Sequence, residues 1–275
     1  VDIDPTTYNI DVDRIEEKIT PKTRALLPVE VFGNPHRIDD VYELARRRSL
    51  LCIEDSCEAL GSVVNGRRVG TLGNTSTFAF YPNKQMTTGE GGIIVTDDED
   101  IAHLCASLRN QGRDINAGWL AHARLGYNYR LSDINCALGI TQIGRIDEFV
   151  AKRRQVAQWY SELLKDEPGV VLPSEPSGCE ISWFVYVIRL QDESTTQDRD
   201  KVLSYLRENG IGCNNYFTPI HLQPYVAERL GCKEGDFPVT EKIAQRTIAL
   251  PFYNNLTQQR VETVCSTLKT ALNNL

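Results

Sequence analysis

At 275 residues, with 41% hydrophobic and 24% charged residues, the chain has the composition of an ordinary globular protein, long enough for one large domain or two modest ones. Its formal net charge of −7 excludes the broad basic surface that non-specific binding to nucleic acid or to an anionic membrane requires. No apolar run reaches the about 18 residues of a membrane span, and the eight scattered cysteines form neither a zinc pattern nor a C-x-x-C pair, so a cytoplasmic protein with reduced thiols and no metal is expected.

The opening, VDIDPTTYNIDVDRIEEKIT, is polar and acidic, unlike a signal peptide. Residue 1 is Val, and VDID reads as a strand end, so a chain that starts inside a domain is expected. Ala25–Phe32 reads as a strand, Asp39–Arg48 as a helix and Leu50–Ile53 as a short buried strand. Thr77–Tyr81 and Gly92–Thr96 read as two further strands. Asp98–Asn110 reads as a helix because Ile101, Leu104, Cys105 and Leu108 share one helical face. Strands alternating with helices point to an α/β domain with a largely parallel sheet.

From Ser132 a single long helical stretch is expected to about Leu164, with Ile134, Leu138, Gln142, Ile146 and Val150 near one face. A helix of that length suits a link between domains. Pro168, Pro173 and Pro176, with Gly169 and Gly178, mark loops after it. Trp183–Leu190 reads as a strand, Asp198–Asn209 as a helix closed by Gly210, and Gln258–Leu272 as a last helix. The expected organisation is a large domain over 1–147 and a small α+β domain over 148–275, joined by the long helix.

Two strand ends carry candidate chemistry. The first runs into Glu54-Asp55-Ser56-Cys57-Glu58, the second into Pro82-Asn83-Lys84 and a Thr/Gly-rich loop. Ligands of open α/β sheets bind outside the carboxyl ends of strands. Alone, Asp55 reads as a turn cap and Lys84 as a surface lysine. Together they are the amine and carboxylate that pyridoxal phosphate (PLP) chemistry needs, one to bond the cofactor and one to keep its ring nitrogen protonated.

The stretches EDSCEALG, FAFYPNKQMTTGEGG and GYNYRLSDINCALG, with PIHLQPY at Pro219–Tyr225, closely resemble the DegT/DnrJ/EryC1/StrS family of sugar aminotransferases. The resemblance runs from Val1 to the last helix. It implies an aspartate aminotransferase-like fold (PLP-dependent transferase fold type I), PLP as cofactor and a homodimer with shared active sites. It implies transfer of an amino group, from L-glutamate, to a nucleotide-linked ketosugar, giving an amino sugar for polysaccharide or glycan synthesis. Residue by residue, Asp55 matches the pyridinium partner, Lys84 the Schiff-base lysine and general acid/base, and Asn128 the asparagine that reaches the partner subunit's cofactor phosphate. Glu58 stands where Gln or His usually lies near the cofactor ring. Ala79 stands where many members have a phosphate-binding Ser, leaving Ser76 or Thr77 as substitutes. Tyr81 and His221 are expected to line the sugar site; Arg109, Arg113 and Arg130 have the chemistry to bind a diphosphate or carboxylate, although any one of them more often reads as a surface or ion-pair residue.

The resemblance also implies a preceding helical segment with a Gly-Thr phosphate turn and a ring-stacking aromatic, without which weak PLP binding is expected. Competing readings are a sugar dehydratase of the same fold, in which His replaces the lysine, and a non-catalytic regulatory homologue. A dinucleotide-binding oxidoreductase is disfavoured because no G-x-G-x-x-G follows a strand.

Overall fold

The computed structural model describes residues 1–114, 118–119 and 121–275. Its first half is an α/β unit. β1 (Ala25–Leu26) is followed by α1 (Ile38–Arg47), whose Val41, Leu44 and Ala45 are buried. Asp39 and Asp40 in the first turn of α1, and Arg46 and Arg47 in its last, complement the helix dipole. β2 (Leu51–Asp55) packs Cys52 into the same cluster as Leu26, Val41 and Ile15. A short ribbon follows, β3 (Val63–Val64) and β4 (Arg67–Arg68), then β5 (Thr75–Ala79) and β6 (Gly92–Val95).

The sheet order is β1-β2-β5-β6. β1, β2 and β5 are parallel, but β6 runs antiparallel to β5. The largely parallel sheet expected from sequence is therefore mixed at this edge. The physical reason is the connection: loop 80–91 contains no helix to carry the chain back across the sheet, so the chain can only reverse. The strand expected over Ala25–Phe32 also ends early, at Leu26. An isolated bridge from Val29 to Asp55 continues its line, and a 3₁₀ turn at Val31–Gly33, with Phe32 at φ 61°, then bends the chain away.

α2 (Glu99–Arg109) starts at Asp98, whose carboxylate accepts the Ile101 N–H at 3.0 Å. The single helix expected over 132–164 is two helices. α3 (Asp133–Ile143) and α4 (Ile146–Leu164) are separated at Gly144 and Arg145, where Arg145 leaves helical geometry at φ −116°, ψ 10°. The two differ in burial: α3 has no buried residue, whereas α4 buries Phe149, Arg153, Val156, Ala157, Tyr160 and Leu164.

The second half adds β7 (Val170–Val171), β8 (Cys179–Glu180), β9 (Tyr186–Leu190), α5 (Thr196–Glu208), α6 (Pro224–Leu230), α7 (Pro238–Ala244), β10 (Thr247–Leu250) and α8 (Gln258–Asn273). β9 sits between β10 and β7, antiparallel to both. The strand expected over Trp183–Leu190 thus keeps only its last five residues, and Trp183 takes φ 53°. α4, α5 and α8 cover this sheet, joining Tyr160, Ile188, Leu206, Ile248 and Leu268 in one core. α5 opens with a capping box between Thr195 and Asp198, and Gly210 beyond its end takes φ 76°. β8 pairs antiparallel with β3, so Val63 and Val64 of the first half stand opposite Glu180 and Cys179 of the second. Among the described residues no helix is long and apolar enough to cross a membrane.

Candidate active site

Asp55 and Lys84 leave the carboxyl ends of neighbouring strands. Asp55 is the last residue of β2, half-buried, and its Oδ1 accepts the Cys57 N–H at 3.2 Å. Lys84 lies in the turn after β5, where its N–H donates to Tyr81 O at 3.0 Å. The Lys84 side chain is only 14% exposed. Its Nζ lies 3.4 Å from Glu58 Oε1 and 4.0 Å from the centroid of the Phe184 ring.

Glu58 is held on two sides. Its Oε2 accepts the Phe32 N–H at 2.8 Å, and its backbone carbonyl accepts from Gln85 Nε2. Burial raises the Glu58 carboxyl above the usual range; the Lys84 ammonium and the Phe32 N–H oppose that rise, and the charge of Asp55 adds to it. The neighbouring Cys57 thiol is pushed up to about 11, chiefly by burial and then by Asp55, with Lys84 pulling the other way. Glu58 and Cys57 therefore feel both Asp55 and Lys84, which places the four groups in one electrostatic environment.

The loop beside Lys84 is open at Gly89 but close-packed at Gly91. Gly91 takes φ 149°, and a Cβ there would fall 2.6 Å from Thr88 Oγ1, so no side chain fits. Of the two substitutes for the missing hydroxyl at Ala79, Ser76 is buried and bonded to Ser56 Oγ at 2.6 Å, and Thr77 Oγ1 donates to Glu54 O at 3.3 Å. Both hydroxyls already have partners inside the sheet.

Of the other sequence candidates, Tyr81 adjoins this cluster through its backbone carbonyl and the rest lie apart from it. Tyr81 is 50% exposed, three residues before Lys84. Asn128 is exposed on a segment that runs along the end of α2, with an isolated bridge to Asn110. Its neighbours Tyr127 and Tyr129 stack at 4.8 Å. Arg109, Arg113 and Arg130 line a cavity of about 790 Å³ together with Asn110 and Trp119. His221 is 8% exposed; Nε2 pairs with Glu241 Oε1 at 2.9 Å and the ring meets Phe237 edge-on. Its described partners belong to the second half and are not those of Lys84.

The profile of the DegT/DnrJ/EryC1/StrS aminotransferase family matches residues 1–269. The chain belongs to this aminotransferase family. The GDP-perosamine synthase of Caulobacter vibrioides is 36% identical over 278 residues, covering 99% of this chain and 72% of the synthase. The crystal structure of the aminotransferase TlmJ from Streptoalloteichus hindustanus superposes with a TM-score of 0.90 at 30% identity, over 99% of this chain and 72% of TlmJ. The E. coli GDP-4-keto-6-deoxy-D-mannose-3-dehydratase, solved with bound hydrated PLP, superposes at 0.87 with 27% identity, over 98% of this chain and 73% of the dehydratase. The residues present fit that cofactor, because a largely buried amine and a half-buried carboxylate leave adjacent strands beside a loop that is close-packed at Gly91.

Sequence reasoning on this aminotransferase passed over Phe184, Phe32, Gln85 and Arg153, all of which surround the Lys84–Glu58 pair. Arg153 had a readable signal. It falls on the apolar stripe of Phe149, Val156, Ala157 and Tyr160, where a charged residue is out of place unless it has partners inside.

Proposed function

We propose that this chain transfers the amino group of L-glutamate to a nucleotide-linked ketosugar, with PLP as cofactor and Lys84 as its attachment point. The single observation that carries the reading is the pairing of Lys84 with Glu58 and Phe184 at the strand end next to Asp55. When bound, PLP supplies an electron sink for the carbanion left at the substrate carbon. Asp55 would hold the ring nitrogen, Lys84 the aldehyde carbon, and Glu58 the edge of the ring. Asn128 of a second copy would reach the phosphate, which makes the working form a homodimer. Exposed Tyr127, Tyr129, Ile134 and Ile140 around that segment support a partner there. Tyr81 and His221 are assigned to the sugar side. The large unit is taken as 1–147 and the small one as 148–275.

The proton work belongs to Lys84. Its Nζ takes the proton from the α-carbon of the donor and returns one to the sugar carbon that receives nitrogen. Glu58 steadies the ammonium form between these events, and burial, which raises its carboxyl, works against the charged form that Lys84 favours.

The test uses the whole protein with added PLP. A visible absorbance band should form, bleach with L-glutamate, return with a ketosugar nucleotide, and be missing in Lys84→Ala. Loss of a sugar hydroxyl without nitrogen transfer would instead identify a dehydratase. No band in the wild type would overturn both.

A further inference from the structure

Arg153 is 4% exposed and has no carboxylate partner among the described residues. Instead its fork is spread over three backbone carbonyls. Nη1 donates to Trp183 O at 3.2 Å and Phe184 O at 2.9 Å, and Nη2 donates to Lys84 O at 3.1 Å. Nε is buried without a partner, and the guanidinium lies 5.6 Å from the Phe252 centroid. One residue of α4 thus bonds both the backbone that bears the amine and the backbone that bears the aromatic ring beneath it.

The opposite side of the same strap is tied separately. Gln85 Nε2 donates to Ser182 Oγ at 2.8 Å, and Ser182 N donates to Ser62 Oγ at 3.0 Å. Segment 182–184 is therefore fixed at both ends, by Gln85 from the loop of Lys84 and by Arg153 from α4. A buried cation that satisfies three carbonyls is an expensive way to close a gap; a methionine would fill the volume without desolvating a charge. Desolvation alone lowers the Arg153 pKa to about 10, so the group stays charged near neutrality.

We infer that Arg153 is a positioning residue that holds Lys84 Nζ between the Glu58 carboxylate and the Phe184 ring, so that the amine meets the cofactor aldehyde in one fixed direction. This rests on the reading of Lys84 as the attachment point. The single nitrogen of a lysine at 153 could serve the Trp183 and Phe184 carbonyls that Nη1 serves, but could not also take the place of Nη2 at Lys84 O, so Arg153→Lys should fail although it preserves charge. The planar five-donor geometry, not the positive charge, is the working feature.

The test compares wild type, Arg153→Lys and Arg153→Met by two labelling rates at Lys84, each trapped with cyanoborohydride and read by peptide mass spectrometry. PLP needs the amine in register; formaldehyde does not. Both variants should attach PLP to Lys84 about tenfold or more slowly, while formaldehyde labelling of Lys84 is unchanged or faster. The visible circular dichroism of the bound cofactor should weaken in parallel. Unchanged PLP attachment and dichroism in Arg153→Lys, at a lowered melting temperature, would make Arg153 purely structural and overturn the inference. If Arg153→Met does not fold, Arg153→Lys alone decides between these outcomes. Wild type that takes formaldehyde but no PLP at Lys84 would sink the functional reading itself, a result distinguishable from either of these.

Discussion

The two halves of the molecule bury their hydrophobic residues very differently. The second half encloses its sheet: Tyr186, Ile188 and Leu190 of β9 are at or near zero exposure under α4, α5 and α8. The first half covers one face of its sheet with α1, while Leu51 and Ile53 of β2 and Ile93 and Ile94 of β6 stay 36–51% exposed. Chemistry and stability are thus housed apart. Asp55, Glu58 and Lys84 stand on the less covered sheet, and Arg153 and Phe184 reach them from the well-covered half. The candidate site thus takes its titratable groups from strand ends and its packing partners from a neighbouring core.

That contrast can be broken at several scales. Ile188→Ala in the enclosed core should cost about 2–5 kcal/mol in urea unfolding, because a fully buried side chain leaves a cavity. A loss below about 1 kcal/mol would mean this core is softer than its packing implies. Next comes Glu30, whose carboxylate oxygens are buried without a hydrogen-bond partner among the described residues and close to the charge of Glu54. Burial, then Glu54, raises its folded pKa, so the stability it contributes is complete below the unfolded value and is lost as pH climbs through the folded one. Glu30→Gln removes that loss and should stabilise by roughly 1–2 kcal/mol near neutral pH, with the gain vanishing in acid. Destabilisation at every pH would show that the carboxylate has a partner worth keeping.

Smaller effects sharpen the same comparison. Thr195→Ala removes one side of a capping box in the enclosed half and should lower global stability by about 1 kcal/mol. Ile53→Ala, on the uncovered face, should fall within about 0.5 kcal/mol of wild type at concentrations where the chain is monomeric. A larger loss there would reveal that something already covers this face.

Sequence made the helices and the two strand ends legible, and for physical reasons. α1, α2, α5 and α8 each carry a one-sided apolar stripe with a cap or dipole-matched charges, so they stand within a residue or two of expectation. The break at Gly144 was hidden because Ile134, Leu138, Ile146 and Val150 keep one period across it, although one helix is exposed and the other buried. The reversal at β6 was not legible because alternation of elements says nothing of strand direction when the connecting helix is absent. In the candidate site, the placement of Lys84 and Asp55 at adjacent strand ends was legible, since an amine and a carboxylate there have a joint chemical meaning. Phe184 was not, because its role depends on a contact about 100 residues away in sequence, and Arg153 was legible only as a charge on an apolar helix stripe, with its Lys84 partner about 70 residues away left unspecified.

The central claim is that Lys84 is the amine that bonds the cofactor. The most direct measurement is to incubate the whole protein with PLP, reduce with borohydride and locate the added mass by peptide sequencing in a mass spectrometer. The account expects one stoichiometric addition, on Lys84, abolished by Lys84→Ala and retained in Lys165→Ala. Addition spread over surface lysines, or none at Lys84, would contradict it.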